Sequence, residues 1–337
     1  MLKLKLQILK RALKPKPLLN LLVTYSSYCL SLLFRKSIVA GMPPLLMIEP
    51  TSHCNLNCPL CPSGNGTLRR QRDFMDLNLY KRVIDEVKGT VIGILLWNQG
   101  EPLLHKDLPE MIRYATNYGI FTMTSTNMNI LPDPDALVNS GLGHLIVSLD
   151  GASQETYNKY RINGNFARVL ENTARLVEAK KRKGSRTPFI SWQFIIMKHN
   201  EHEIPQIKQL ASEAGVDDLI FKTVQIYDKE DIDNFLPTKE RYRRYKITDD
   251  GFILKKKITN RCRRIFTQPV VNCDGEFAIC CFDKDNIYKV GNLNGDSLRY
   301  LWRGSRFNRW RNMVLRDRKK MNICLNCGEG IDLKIKE

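Results

Sequence analysis

The sequence predicts an α/β protein, a partial (β/α)6 TIM-like barrel followed by a small α+β module. Two observations carry that prediction. From Leu45 onward, six short β-rich runs alternate with amphipathic helical runs, the pattern of βα units around a parallel sheet. After Tyr227 the alternation stops, giving way to a charged stretch and then to a second segment with its own hairpin signal. With 337 residues and 43% hydrophobic content, the chain can fill such a two-part core.

The strands are placed at Leu45 to Pro50, Gly93 to Asn98, Phe121 to Thr126, His144 to Leu149, Phe189 to Met197 and Asp218 to Gln225. Apolar residues recur three and four apart in the intervals Leu77 to Lys88, Asp107 to Tyr118, Phe166 to Lys183 and Glu201 to Ala214, which are read as helices. Asp107 and Asn165 fit as caps, and Gly119, Gly184 and Gly215 as stops. The barrel thus occupies residues 45–227. Residues 228–257 are read as a connector with no clear strand, and residues 258–337 as the second module. There Asp274-Gly275 sits between Thr267 to Val271 and Glu276 to Cys281 as a hairpin signal, and a basic amphipathic helix runs through Leu298 to Met313.

Residues 1–44 form a basic amphipathic arm. The net charge of +18 is uneven: the first 48 residues hold Lys3, Lys5, Lys10, Arg11, Lys14, Lys16, Arg35 and Lys36 and no acidic residue. Leu18 to Phe34 is apolar but interrupted by Asn20, Thr24, Ser26, Ser27 and Ser31, and its 17 residues fall at or below the span of a bilayer. An interfacial helix is therefore expected. It either docks on anionic lipid through basic residues and a leucine face, or packs on the body with solvated lysines. Basic runs at 180–186 and 255–264 suit an anionic substrate or headgroup, and no aromatic-interleaved motif accompanies them, which disfavours nucleic acid. Ten cysteines without a cleavable signal predict a reducing, cytoplasmic setting and cysteines that mostly bind metal.

The first strand is followed by three cysteines within eight residues, Cys54, Cys58 and Cys61, at the strand end where such barrels carry their chemistry. Thiolates are soft ligands for zinc, copper or iron-sulfur clusters. A structural zinc site closes four ligands around its ion, so zinc would need His53, awkwardly adjacent to Cys54. Three thiolates on a four-iron cluster leave one iron open instead. The spacing Cys54-x3-Cys58-x2-Cys61 after a first βα strand resembles the cluster loop of radical S-adenosylmethionine (SAM) enzymes. That resemblance covers residues 45–330, with Leu60 standing where the family usually has an aromatic.

The resemblance implies that SAM chelates the open iron of a 4Fe-4S cluster held by Cys54, Cys58 and Cys61. Reductive cleavage would then yield methionine and a 5'-deoxyadenosyl radical that abstracts hydrogen from a substrate. The segment Asn98-Gln99-Gly100-Glu101-Pro102 is similar to the family's glycine-glycine-glutamate segment, with Gln99 replacing the first glycine. There Gly100 would let backbone approach the ligand and Glu101 would accept from its ammonium. Ser125, Asn127 and Ser148 lie at strand ends where ribose and carboxylate are expected, and Arg161 would pair with the SAM carboxylate. Gln193 and Val224, the latter beside adenine, complete the expected contacts. No residue stands out as the catalytic base.

Cys262, Gly275, Cys280 and Cys324-x2-Cys327 resemble the auxiliary-cluster module called twitch, a shortened relative of the SPASM domain. Four thiolates saturate a second 4Fe-4S cluster, although a four-cysteine zinc ribbon meets the same ligand count. Adjacent strand residues point opposite ways, so one of Cys280 and Cys281 faces the metal, and the glycine spacing favours Cys280. Cys29 and Cys273 are read as bystanders. The family implies oxidation or rearrangement of a small polar, sugar-like substrate, with electrons from a flavodoxin- or ferredoxin-type donor. Peptide maturation is the enzymatic alternative, and a non-catalytic metal- or nucleic-acid-binding protein the alternative outside enzymes.

Overall fold

The computed structural model describes residues 2–255 and 257–328; the end of the expected second module, 329–337, lies outside the described residues. The arm folds into α1 (Leu2–Ala12) and α2 (Pro15–Phe34). The barrel strands are β1 (Leu45–Ile48), β2 (Gly93–Leu95), β3 (Phe121–Thr126), β4 (His144–Ser148), β5 (Phe189–Ile196) and β6 (Asp218–Thr223). They pair in parallel in chain order. The intervals hold α3 (Pro62–Asn65), α4 (Leu77–Val87), α5 (Leu108–Asn117), α6 (Pro134–Asn139), α7 (Gln154–Asn158), α8 (Phe166–Arg182) and α9 (Ile204–Glu213).

Local chemistry sets these helix ends. Gly119, Gly184 and Gly215 stop α5, α8 and α9 at φ of +70°, +58° and +66°, a conformation that costs glycine nothing. The Asn165 side chain accepts from the Arg168 amide, while Asp107 heads α5 without a side-chain cap and its own amide donates to His105 Nδ1. On the strands, side chains alternate between two faces. Ile48, Ile94, Val147, Trp192 and Phe194 are fully buried against the helices, each worth about 1.5–3 kcal/mol of burial. The opposite face, with Leu95, Met123, Ser125, Ile146, Gln193 and Ile195, is only partly covered, which leaves an open lumen.

Three departures from the expected layout stand out. Residues 228–257, expected to lack strands, hold α10 (Glu230–Phe235) and a hairpin of β7 (Tyr245–Thr248) and β8 (Gly251–Leu254). Its strands bury little beyond Tyr245 and Gly251, so no hydrophobic alternation announces it. Next, β9 (Val270–Val271) pairs in parallel with β1, and β10 (Glu276–Ala278) and β11 (Gly291–Asn292) follow antiparallel, so the hairpin of the second module extends the barrel sheet. After α11 (Arg264–Thr267), the single basic helix expected in this module is two, α12 (Leu298–Arg303) and α13 (Ser305–Asp317). Gly304 breaks them in extended backbone, where ψ is 159°.

The sheet ends at β6 on one side and β11 on the other, so the barrel is open. Across the opening, α14 (Asn322–Leu325) is followed by Asn326, which accepts from Tyr245 Oη at 2.6 Å and donates to the Ile226 carbonyl at 2.6 Å. The arm closes the amino-terminal edge of the sheet. The Arg11 guanidinium donates to the carbonyls of Lys88, Val91 and Tyr118, just ahead of β2 and β3.

Candidate active site

The three-cysteine loop leaves the carboxyl end of β1, and Cys58 is buried while Cys54 and Cys61 are half-buried. The segment after β2 clamps it. Gly100 has φ +74°, and a Cβ there would lie 2.6 Å from the His53 carbonyl oxygen and 2.8 Å from the Ser52 carbonyl carbon. What the missing side chain makes room for is the cysteine loop itself. The Glu101 amide donates to the His53 carbonyl at 2.7 Å, and both carboxylate oxygens of Glu101 accept backbone amides, from Leu103 and Asn127. Burial raises the Glu101 pKa, and those amide bonds oppose it. Gln99 is held by its amide donating to Glu49 and its side chain accepting from Ser63.

The remaining expected contacts divide by position. The Asn127 side chain donates to Asn55 at 2.9 Å and lies 3.9 Å from Cys54 Sγ. Arg161 donates through Nε to Asp150 at 2.7 Å and reaches Cys58 Sγ at 3.7 Å. Val224 packs in one apolar cluster with Leu56, Cys58, Leu60 and Tyr160. Gly100, Glu101, Asn127, Arg161 and Val224 therefore converge on the loop, whereas Ser125, Ser148 and Gln193 line up on β3, β4 and β5, with Ser148 and Gln193 in register.

Sequence reasoning passed over Asp150 and Glu49. Both are fully buried carboxylates, Asp150 on Arg161 and Glu49 on Arg70 at 2.5 Å. Glu49 also accepts from the Cys273 amide, tying the loop strand to the second module. Its signal was an acid ending the apolar run Leu45 to Ile48. Lys222 was also missed. It is opposite Ile195 in the β5–β6 register, on the lumen side; its side chain is exposed, yet desolvation by the surrounding protein and then Arg244 lower its pKa.

Burial raises the Cys54 thiol to about 11 and the Cys58 thiol as well, although Arg161 opposes the shift at Cys58. Cys58 and Cys61 both help raise the Cys54 thiol, and Cys61 the Cys58 thiol, so the three side chains are neighbours. His53, which a zinc site here would need as its fourth ligand, instead stacks on Phe74 with ring centroids 4.7 Å apart. In the second set, Cys280 lies near Cys262 and Cys327, and the buried Arg318 hydrogen-bonds Cys324. Past the end of β10, Cys281 stays next to the Cys280 thiol but packs onto Met47, Val270 and Ala278, with the Arg264 guanidinium 3.0 Å from its sulfur. The two sets thus offer three and four soft donors, which fit iron-sulfur clusters. The second set spans the barrel opening: Cys262 and Cys280 flank the β9–β10 hairpin, and Cys324 and Cys327 flank the segment that Asn326 ties to the end of β6.

Comparison with known proteins agrees with this geometry. The Radical SAM superfamily model matches residues 48–211, and the SPASM model, an iron-sulfur cluster-binding domain, matches residues 262–328. The chain belongs to the radical SAM superfamily and carries a C-terminal SPASM module. These domains imply a SAM-binding 4Fe-4S cluster, SAM and an auxiliary cluster. Among curated relatives, an AdoMet-dependent heme synthase of Methanosarcina barkeri is 34% identical over 52% of this chain and 49% of its own length. A PqqA peptide cyclase of Rhodopseudomonas palustris is 29% identical over 56% and 48%. The chain spans about half the length of these relatives. The fold is shared with BtrN in complex with AdoMet and 2-DOIA, at a TM-score of 0.55 and 18% identity, covering 89% of this chain and 98% of that one. It is also shared with Streptococcus suis SuiB bound to precursor peptide SuiA, at 0.62 and 16%, covering 90% and 73%.

Proposed function

We propose that this chain cleaves SAM reductively and takes a hydrogen atom from a small polar, sugar-like substrate, which is then oxidised or rearranged. The observation that supports this most is the second cysteine set bridging the opening of a half-barrel whose loop carries the first set. An electron leaving the substrate would have an acceptor site beside the same lumen. Cys54, Cys58 and Cys61 would hold the SAM-binding cluster, and Cys262, Cys280, Cys324 and Cys327 the auxiliary one. When bound, the first cluster and SAM supply the 5'-deoxyadenosyl radical. Gly100, Glu101, Asn127, Arg161 and Val224 would shape the SAM pocket around the loop, with Gln99 behind it and Ser125, Ser148 and Gln193 on the lumen strands. Lys222 would offer a positive side chain to a polar or anionic substrate beside Ser148 and Gln193 on the lumen face.

The experiment is anaerobic reconstitution with iron and sulfide, followed by dithionite and SAM. The expected result is about eight irons per chain and 5'-deoxyadenosine formation that alanine at Cys54, Cys58 and Cys61 abolishes. Zinc in place of iron, or 5'-deoxyadenosine formed without those cysteines, overturns the reading. A peptide substrate is the second reading, on the strength of similarity to the PqqA peptide cyclase. Deuterium transfer into 5'-deoxyadenosine from labelled sugars or labelled peptides separates the two. The same proposal places the basic arm against an anionic membrane surface.

A further inference from the structure

The arm is built inside out. Along α2 the residues turned to the protein are Pro17, Asn20, Thr24, Ser27 and Ser31, a stripe spaced three and four apart and almost entirely polar. Asn20 exchanges hydrogen bonds with both backbone groups of Met42, Thr24 donates to the Met42 carbonyl, and Ser31 exchanges bonds with the backbone of Ile38. The opposite stripe is apolar and open to solvent: Leu19 is 63% exposed, Leu22 58%, Leu33 73% and Phe34 64%. On α1 and the turn after it, Leu6, Leu9 and Leu13 add to this surface. A soluble helix hides its leucines and shows its serines; here the hydrogen bonds fix the reverse orientation. An exposed apolar surface of this extent marks an interaction site.

Charge says what covers it. Lys5, Lys10, Lys14, Lys16, Arg35 and Lys36 are all exposed around the apolar stripe, and no acidic residue occurs before Glu49. A second copy docking through the same patch would set like charges against each other. At the carboxyl end of α2, a cavity of about 760 Å³ opens between the arm and α13. It is lined by the exposed Lys36, Arg309, Arg316 and Lys320, with Asp317 as its carboxylate. Ser37, hydrogen-bonded to Asn308 and Asn312, fastens the arm at its wall. Although α2 is 20 residues long, with a mean hydropathy of 1.4, its polar stripe is committed to the protein, so it lies along a surface rather than crossing one.

We infer that α1 and α2 dock this protein in the plane of an anionic bilayer, the leucine stripe entering the acyl boundary and the basic cavity taking a phospholipid headgroup. This rests on the membrane placement proposed above and deepens it: the docking face is the amino-terminal edge of the sheet, so the mouth with its cysteine loop points away from the lipid.

The test is sedimentation of the anaerobic full-length protein with phosphatidylcholine vesicles, with and without phosphatidylglycerol, beside analytical ultracentrifugation without lipid. Binding only to the anionic vesicles, weakened by salt, is expected. The double variant Leu22→Glu and Leu33→Glu should lose at least tenfold in partitioning. Lys36→Glu with Arg316→Glu should lose tenfold or more as well, at about fivefold per charge removed. Equal binding of either variant, no binding of the wild type, or a dimer that the leucine variant dissociates would overturn the inference. Competition by inorganic phosphate alone, with vesicles of either kind bound equally, would do so too. SAM cleavage in solution is the separate control: the variants leave it intact, and its failure in the wild type counts against the enzymatic reading alone.

Discussion

Replacing Gly100 with alanine tests how the site is held together. Two costs add. At φ +74° an alanine sits in the left-handed region, which costs about 1–2 kcal/mol. Its Cβ would also press on backbone atoms of Thr51, Ser52 and His53, which cannot rotate aside as a side chain can, adding about 1–3 kcal/mol of overpacking. The sum is about 2–5 kcal/mol. Two other glycines separate the terms. Gly66 has φ +79° and nothing within 4 Å of a Cβ, so Gly66→Ala should show only the backbone part. Gly89 has open space and no positive φ, so Gly89→Ala should stay within about 0.5 kcal/mol of wild type. Urea unfolding of the metal-free, reduced protein, followed by tryptophan fluorescence, reads all three. A midpoint for Gly100→Ala no lower than that for Gly66→Ala would refute the claim that this glycine exists to seat the cysteine loop.

Further outcomes follow from neighbouring groups. Arg161→Ala leaves Asp150 buried with its charge uncompensated and should cost about 3–5 kcal/mol in the same assay; a loss below about 1 kcal/mol would mean that the pair is not formed. Cys280→Ala should remove about half the bound iron, whereas Cys281→Ala should leave it, as iron analysis and electron paramagnetic resonance will show. Burial holds the His144 imidazole down at about 4 while the unfolded chain protonates near 6.5. Its contribution is therefore intact above pH 6.5 and lost as pH falls from 6.5 to 4, by up to about 3 kcal/mol. His144→Gln should flatten that part of the stability profile, and an unchanged slope would contradict the burial argument.

The sequence by itself determined what short-range chemistry can specify. Six βα units, the glycine stops and the cysteine spacing all depend on periodicity or on a local backbone conformation, and each is written within a dozen residues. The choice between Cys280 and Cys281 rests in the sequence on strand alternation, but β10 ends at Ala278 and both cysteines lie in the turn after it, so their directions are set by tertiary packing. Only the tertiary structure decided the rest. That Glu49 reaches Arg70 and the Cys273 amide, that Arg161 spends its guanidinium on Asp150 and Cys58, and that β9 extends the barrel sheet are pairings between distant segments. The arm shows the limit most sharply. Its composition announces an amphipathic helix, but which face turns inward depends on hydrogen bonds to Met42 and Ile38, and these partners exist only once the barrel edge is in place.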